Sequence, residues 1–103
     1  MATEIDLRGR PIRHADATLS VERRDRHVLR RRDGEVVHIL NETARAIWEL
    51  CDGHTEPREM VESIVALFDA PRDTVVRDVE RALAELHAAG LLRWDGDGRR
   101  EST

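Results

Sequence analysis

Five histidines, one cysteine and 21 carboxylates are the side chains through which this 103-residue chain could do acid–base, nucleophilic or metal chemistry. Their spacing works against all three. His14, His27, His38, His54 and His87 are scattered, no two stand at i and i+4, and neither an HExxH motif nor a Cys/His cluster occurs. A lone Cys51 allows no internal disulfide and no cysteine-based zinc site, and its place on a stripe with Ile47 and Trp48 predicts a buried thiol. Two acidic groups, Glu56/Glu59/Glu62 and Asp78/Glu85, fall at or beyond the borders of apolar stripes and read as solvated faces. All 17 basic residues are Arg, so Schiff-base chemistry on a lysine is excluded. Gly34, Gly53 and Gly90 each serve a turn or a helix stop, which leaves no glycine-rich phosphate loop. The expectation is a chain with no catalytic residues, no metal and no cofactor.

Length and composition narrow the alternatives. A chain this short makes one domain with one modest core, built mainly from Leu, Val, Ile and Ala because Trp48, Phe68 and Trp94 are its only aromatics. Net charge is −4 and uneven: residues 22–35 hold six Arg against four acids, residues 41–103 eight Arg against fourteen. A nucleic-acid binder would show a dominant basic face, which is missing. No apolar run resembles a signal peptide or spans a membrane, so a cytoplasmic protein with no membrane partner is expected.

Residues 1–17 are polar and carry an RGRP run, so they read as a flexible arm, and 95–103 (DGDGRREST) as a flexible tail; the folded domain is 18–94. Within it Leu19 and Val21 alternate with polar neighbours. A polar break at Arg24-Asp25 precedes HVLRRR, then Asp33-Gly34, then EVVHIL. Asp-Gly between two β-prone runs predicts a hairpin on a type I′ turn, with Arg32 opposite Glu35 and Val28 near Ile39. Asn41 is a good helix cap, and Ala44, Ile47, Trp48 and Cys51 share one face of the helix that Asp52-Gly53 ends. A second helix begins at residues 55–57 with a stripe of Met60, Val61, Ile64, Leu67 and Phe68, and ends at Asp69-Ala70-Pro71. The third runs from about Asp73, carries Val75, Val76, Val79, Leu83 and Leu86 on one face, and stops at Gly90; a short strand is possible at 92–94. The fold class is α+β: a three-stranded antiparallel sheet followed by three helices.

The third strand, EVVHIL, has few polar positions and no Lys, Pro or evident bulge residue. As the edge of a meander it would expose a long apolar row with unpaired amides and carbonyls, which is normally protected or used. Addition of a peptide strand is the sharper expectation, against a strand buried under a helix.

These residues resemble the PqqD-like family, the RiPP recognition elements that bind leader regions of ribosomally made peptides and present them to modifying enzymes. The resemblance covers about 28–92. It rests on HILNETARAIWELCDG and, at the right distance, DTVVRDVERALAELHAAGLL, where Asp78-Val79, Leu83, Leu86 and Gly90-Leu91-Leu92 match the family's last helix and its end. It implies a winged-helix-like fold and a peptide chaperone of natural-product biosynthesis in which the leader peptide adds beside the third strand, in the groove with the last helix. Carried over by position, the contacts are Glu35, Val36, Val37, His38 and Ile39 on the strand. On the helix they are Val75, Asp78, Val79 and Ala82, a border preferred over that of Val76, Glu80 and His87 because Asp78 belongs to the pattern. Arg30 and Arg32 are placed to meet an acidic leader. The implied partners are a precursor peptide and a modifying enzyme such as a radical SAM maturase or a leader peptidase.

The main rival is a winged-helix DNA-binding regulator with the third helix as reader. That helix carries Arg72, Arg77 and Arg81 against Asp73, Asp78, Glu80 and Glu85, a poor phosphate surface. A subunit that only stabilises a larger enzyme is a second rival, on which the sequence is nearly silent.

Overall fold

The computed structural model of the chain describes residues 9–23 and 26–94. Residues 1–8 of the expected arm, the Arg24-Asp25 break and the tail 95–103 lie outside them. The elements in chain order are β1 (Ile12–Arg13), β2 (Thr18–Arg23), β3 (Arg26–Arg30), β4 (Val36–Leu40), α1 (Glu42–Leu50), α2 (Pro57–Phe68), α3 (Arg72–Ala88) and β5 (Leu92–Arg93). β2, β3 and β4 form the antiparallel meander with β3 in the centre, and three helices follow. This is the α+β architecture expected.

Each helix is set by local chemistry. Asn41 Oδ1 accepts the Ala44 N–H at 2.8 Å and caps α1. α2 starts one residue past its cap, Glu56, whose N–H donates to Glu59 Oε1 at 2.8 Å, with Pro57 at the first helical position, where its missing donor costs nothing. Two of the acids read as a solvated face are therefore helix-starting groups. α3 ends in a Schellman arrangement, the Leu91 N–H on the Leu86 carbonyl at 2.9 Å and the Gly90 N–H on that of His87 at 3.0 Å. That reversal turns Leu91 and Leu92 into the core.

The core is one cluster under the inner face of the sheet. Leu29 and Leu40 from the strands meet Ile47, Trp48 and Cys51 of the α1 region, Met60, Val61 and Ile64 of α2, and Val75, Val79, Leu83 and Leu86 of α3. The α2 stripe stops short of its expected end: the buried residues of the helix end at Ile64, and Leu67 is 68% exposed and Phe68 36%.

The arm expectation needs correction over residues 9–17. Ile12 pairs with Arg93 and Arg13 with Leu92, so β1 and β5 make a second, two-stranded sheet. Pro11 is buried, the Gly53 N–H donates to its carbonyl at 3.0 Å, and the Arg13 N–H donates to that of Cys51 at 3.0 Å. The Arg13 guanidinium donates to the carbonyls of Trp48 (3.2 Å) and Glu49 (2.8 Å), covering acceptors that the end of α1 leaves open. Gly53, at φ +83°, passes so close to Ile12 that a Cβ would lie 3.1 Å from its Cδ1. Ile12 and Arg13 have too few neighbouring strand residues to register as an element; only their partners, distant in sequence, make them one.

The hairpin also differs from expectation. The Gly34 N–H donates to the Arg31 carbonyl at 2.8 Å and the Arg31 N–H to that of Glu35 at 2.9 Å. Gly34 has φ +91° but Asp33 does not have positive φ. This is a type I turn closed by a glycine bulge, a loop of three residues and not two. Arg32 consequently never faces Glu35; it meets Asp16 at 3.0 Å, while the Asp33 carboxylate takes the Glu35 N–H at 2.9 Å. Val28 does pair with Ile39. The register regains its step between Leu29 and Arg30, where one β4 residue, Val37, has no partner, so β4 carries a bulge that its sequence did not announce.

Candidate functional site

β4 is an edge of the sheet, and its residues divide cleanly between two sides. Leu40 is buried, His38 turns to α3, and Val37 packs against the core, whereas Val36 and Ile39 are 45% and 50% exposed. The last two share the outer face, since their partners Arg30 and Val28 stand two apart on β3. The bond from the Arg31 N–H to Glu35 makes the next pair, Arg30 and Val36, one whose main-chain groups turn away from each other. Val36 therefore offers its N–H and C=O to the open side. In an extended strand of L-residues the side-chain face fixes the direction of the N–H, so Ile39 offers its own groups the same way.

Behind this edge lies an open-sided hollow of about 240 Å³. One wall is the end of β4, from His38 to Leu40; a second is the start of α1, with Asn41, Thr43, Ala44 and Ile47. The third wall, on α3, consists of Asp78, Arg81, Ala82, Glu85 and Leu86. The floor is apolar and the α3 rim charged. His38 Nε2 stands 3.8 Å from Glu85 Oε1, across the space between strand and helix. The Arg31 guanidinium donates to the Ala89 carbonyl at 3.4 Å and closes the turn end. These contacts place α3 running opposite to β4.

Of the strand residues the resemblance assigned, His38 and Ile39 line the hollow, and Val36 lies further along the same edge. Val37 packs inward and Glu35 precedes the strand. On α3, Asp78 and Ala82 line it, but Val75 and Val79 are 1% and 0% exposed in the core and reach no surface. Their spacing gave the apolar stripe; which border faced β4 was a tertiary matter. Arg30 is engaged with Glu22 (2.9 Å) and the Gly34 carbonyl (3.1 Å) on the outer side, and Arg32 with Asp16, so neither borders the hollow. The sequence reading missed Arg81, Glu85, Leu86 and the start of α1 as wall residues. The i, i+3, i+4, i+7 relation of Asp78 to Arg81, Ala82 and Glu85 was the available signal.

Nucleophiles and metal ligands are not gathered here. Cys51 is buried at the far end of α1, its Sγ donating to the Ile47 carbonyl at 3.3 Å, and burial pushes its thiol up to about 12. Among the described residues no group of three His, Cys, Asp or Glu side chains could hold a metal ion, and no helix is long and apolar enough to cross a membrane. His27 is buried with neither ring nitrogen hydrogen-bonded, in a row with Val21 and Leu40.

The fold and the site together define a winged-helix-like α+β domain with one open apolar sheet edge over a groove lined by its last helix. The chain belongs to the PqqD family: the family model described as coenzyme PQQ synthesis protein D matches residues 26–92. No curated protein matches the sequence. A solved structure described as TbiB1 in complex with the TbiA(beta) leader peptide is similar at 26% identity and a TM-score of 0.63, over 80% of this chain and 94% of that one.

Proposed function

We propose that this chain is a non-catalytic recognition module that takes the leader region of a ribosomally synthesised precursor peptide as an added strand along β4. It presents that peptide to a modifying enzyme, such as a radical SAM maturase or a leader peptidase. The observation that carries the reading is the open edge at Val36 and Ile39, beside a hollow able to take the side chains of an incoming strand. Main-chain bonds at these two residues supply affinity, and alternate leader side chains entering the hollow supply selectivity. Family membership and the similar protein's leader complex support the same reading. The DNA-binding alternative gains nothing from the fold, because α3 carries three Arg against four acids.

The test is amide exchange on the full chain, titrated with the synthetic N-terminal segment of whatever short peptide a search of its gene neighbourhood finds. Binding without added metal or cofactor, with slowed exchange at Val36 and Ile39, is the expected result. Tight binding that leaves both amides unprotected would show that strand addition on β4 is wrong.

A further inference from the structure

The α3 rim of the hollow carries three charges, and only one of them is engaged. Glu85 faces His38 across the groove. Asp78 and Arg81, one helical turn apart on the same border, have no ion-pair or hydrogen-bond partner for their side chains among the described residues. They do not pair with each other although i, i+3 spacing allows it. Around the sheet's turn the Arg side chains are committed: Arg30 to Glu22, Arg32 to Asp16 and Arg31 to Ala89. Arg81 is the only Arg among the residues lining the hollow.

A free cation and a free anion at the mouth of this hollow make a two-point charge reader. Three residues of helix advance about 4.5 Å, and two residues of an added strand advance about 6.8 Å. Successive leader side chains on the groove-facing side can therefore meet the two rim charges in turn. Resting on the leader-binding reading above, we infer that Asp78 and Arg81 select a leader strand carrying two opposite charges two residues apart, the acidic one on Arg81 and the basic one on Asp78. Because α3 runs opposite to β4, a strand antiparallel to β4 meets Asp78 first and carries its basic residue first; a parallel strand carries the reverse order. A pair shielded between strand and helix discriminates by more than exposed pairs do, and a like charge at either position is rejected.

The experiment is selection of strands from a random twelve-residue peptide library on this chain and on its Arg81→Glu and Asp78→Arg variants, with melting curves to verify that each is folded. Peptides selected on the parent should carry the opposite-charge pair. Reversing the acidic residue in them should weaken binding at least tenfold, and Arg81→Glu should restore the reversed peptide while losing the original. Selected peptides that slow exchange at Val36 and Ile39 yet show no charge preference, or bind Arg81→Glu equally, would overturn the charge reader and leave strand addition standing. A selection whose peptides never protect those amides would overturn both.

Discussion

The two edges of the β2-β3-β4 sheet are built from opposite chemistries. β2 reads TLSVER, ends in Glu22 and Arg23, and shifts register between Val21 and Arg23. Charge and a twisted end are the ordinary means by which an edge is kept from pairing with another chain. β4 reads VVHIL, holds no Asp, Glu or Arg, and stands over a hollow. Its bulge at Val37 lies toward the turn and leaves the stretch from His38 to Leu40 in regular register with β3. Two edges of one meander thus differ in availability: one is defended and the other is left open beside α3. The lesson is that edge status alone says little, and that side-chain chemistry with the space behind the strand assigns use.

Both edges hang on the same core, so removing its largest member should erase the difference between them. Trp48 is 3% exposed, and Trp48→Ala is expected to lose about 3–5 kcal/mol, enough to unfold a domain of this size. Thermal melting measures it. An unchanged melting temperature with lost peptide binding would move Trp48 to the surface and break the account of α1.

Proline separates the edges directly. Ile39→Pro removes an amide that points to the open side of β4 and should weaken leader binding about tenfold or more, since one main-chain bond and the strand geometry are lost together. Val21→Pro does the same to the open side of β2, where the alternation through β3 turns the Val21 amide outward, and should leave the affinity within about twofold. Equal losses at the two sites would show that the leader does not distinguish the edges. Proline at Val37 or His38, whose side chains share the inner side, should act mainly on stability.

Cys51 reports the strapped end of α1, remote from the groove. Its folded-state value of about 12 is raised above the ordinary 9.0 by burial, so the folded chain resists ionisation that the unfolded chain undergoes. The stabilising difference is intact below about pH 9 and is lost as pH rises from there toward 12. Denaturant titrations should show alkaline destabilisation that Cys51→Ala removes, with no change at neutral pH in leader affinity.

The smallest effects belong to the outer face. Arg30→Ala and Arg32→Ala break exposed pairs with Glu22 and Asp16 and should each change stability by less than about 1 kcal/mol. Their leader affinity should stay near that of the parent. A marked loss in either would restore them as leader contacts and extend the binding surface around the turn.

Much of this was legible in the chain itself. The Asn41 cap, the stripe through Ile47, Trp48 and Cys51, and the stop at Gly90 are local signals, since capping and 3.6-residue periodicity act within one or two turns. The Val28–Ile39 pairing followed from strand patterning. Less legible was the turn, where Asp33-Gly34 suggested two positive φ angles and only Gly34 adopts one. The error propagated as a one-residue offset that the Val37 bulge later absorbs.

Sequence by itself determined the family, the order of strands and helices, and which apolar residues enter a core, because each depends on composition and short-range periodicity. Tertiary structure alone decided that Ile12 and Arg13 strap the end of α1, because their partners at Cys51 and Leu92 lie some 40 and 80 residues away. It also decided which border of α3 lines the groove. The stripe of Val75, Val79, Leu83 and Leu86 has two polar borders of similar character, and only packing against β4 turns Asp78, Arg81 and Glu85 toward the edge. A helix's rotation is set by the whole surface it buries, which no local window of sequence contains.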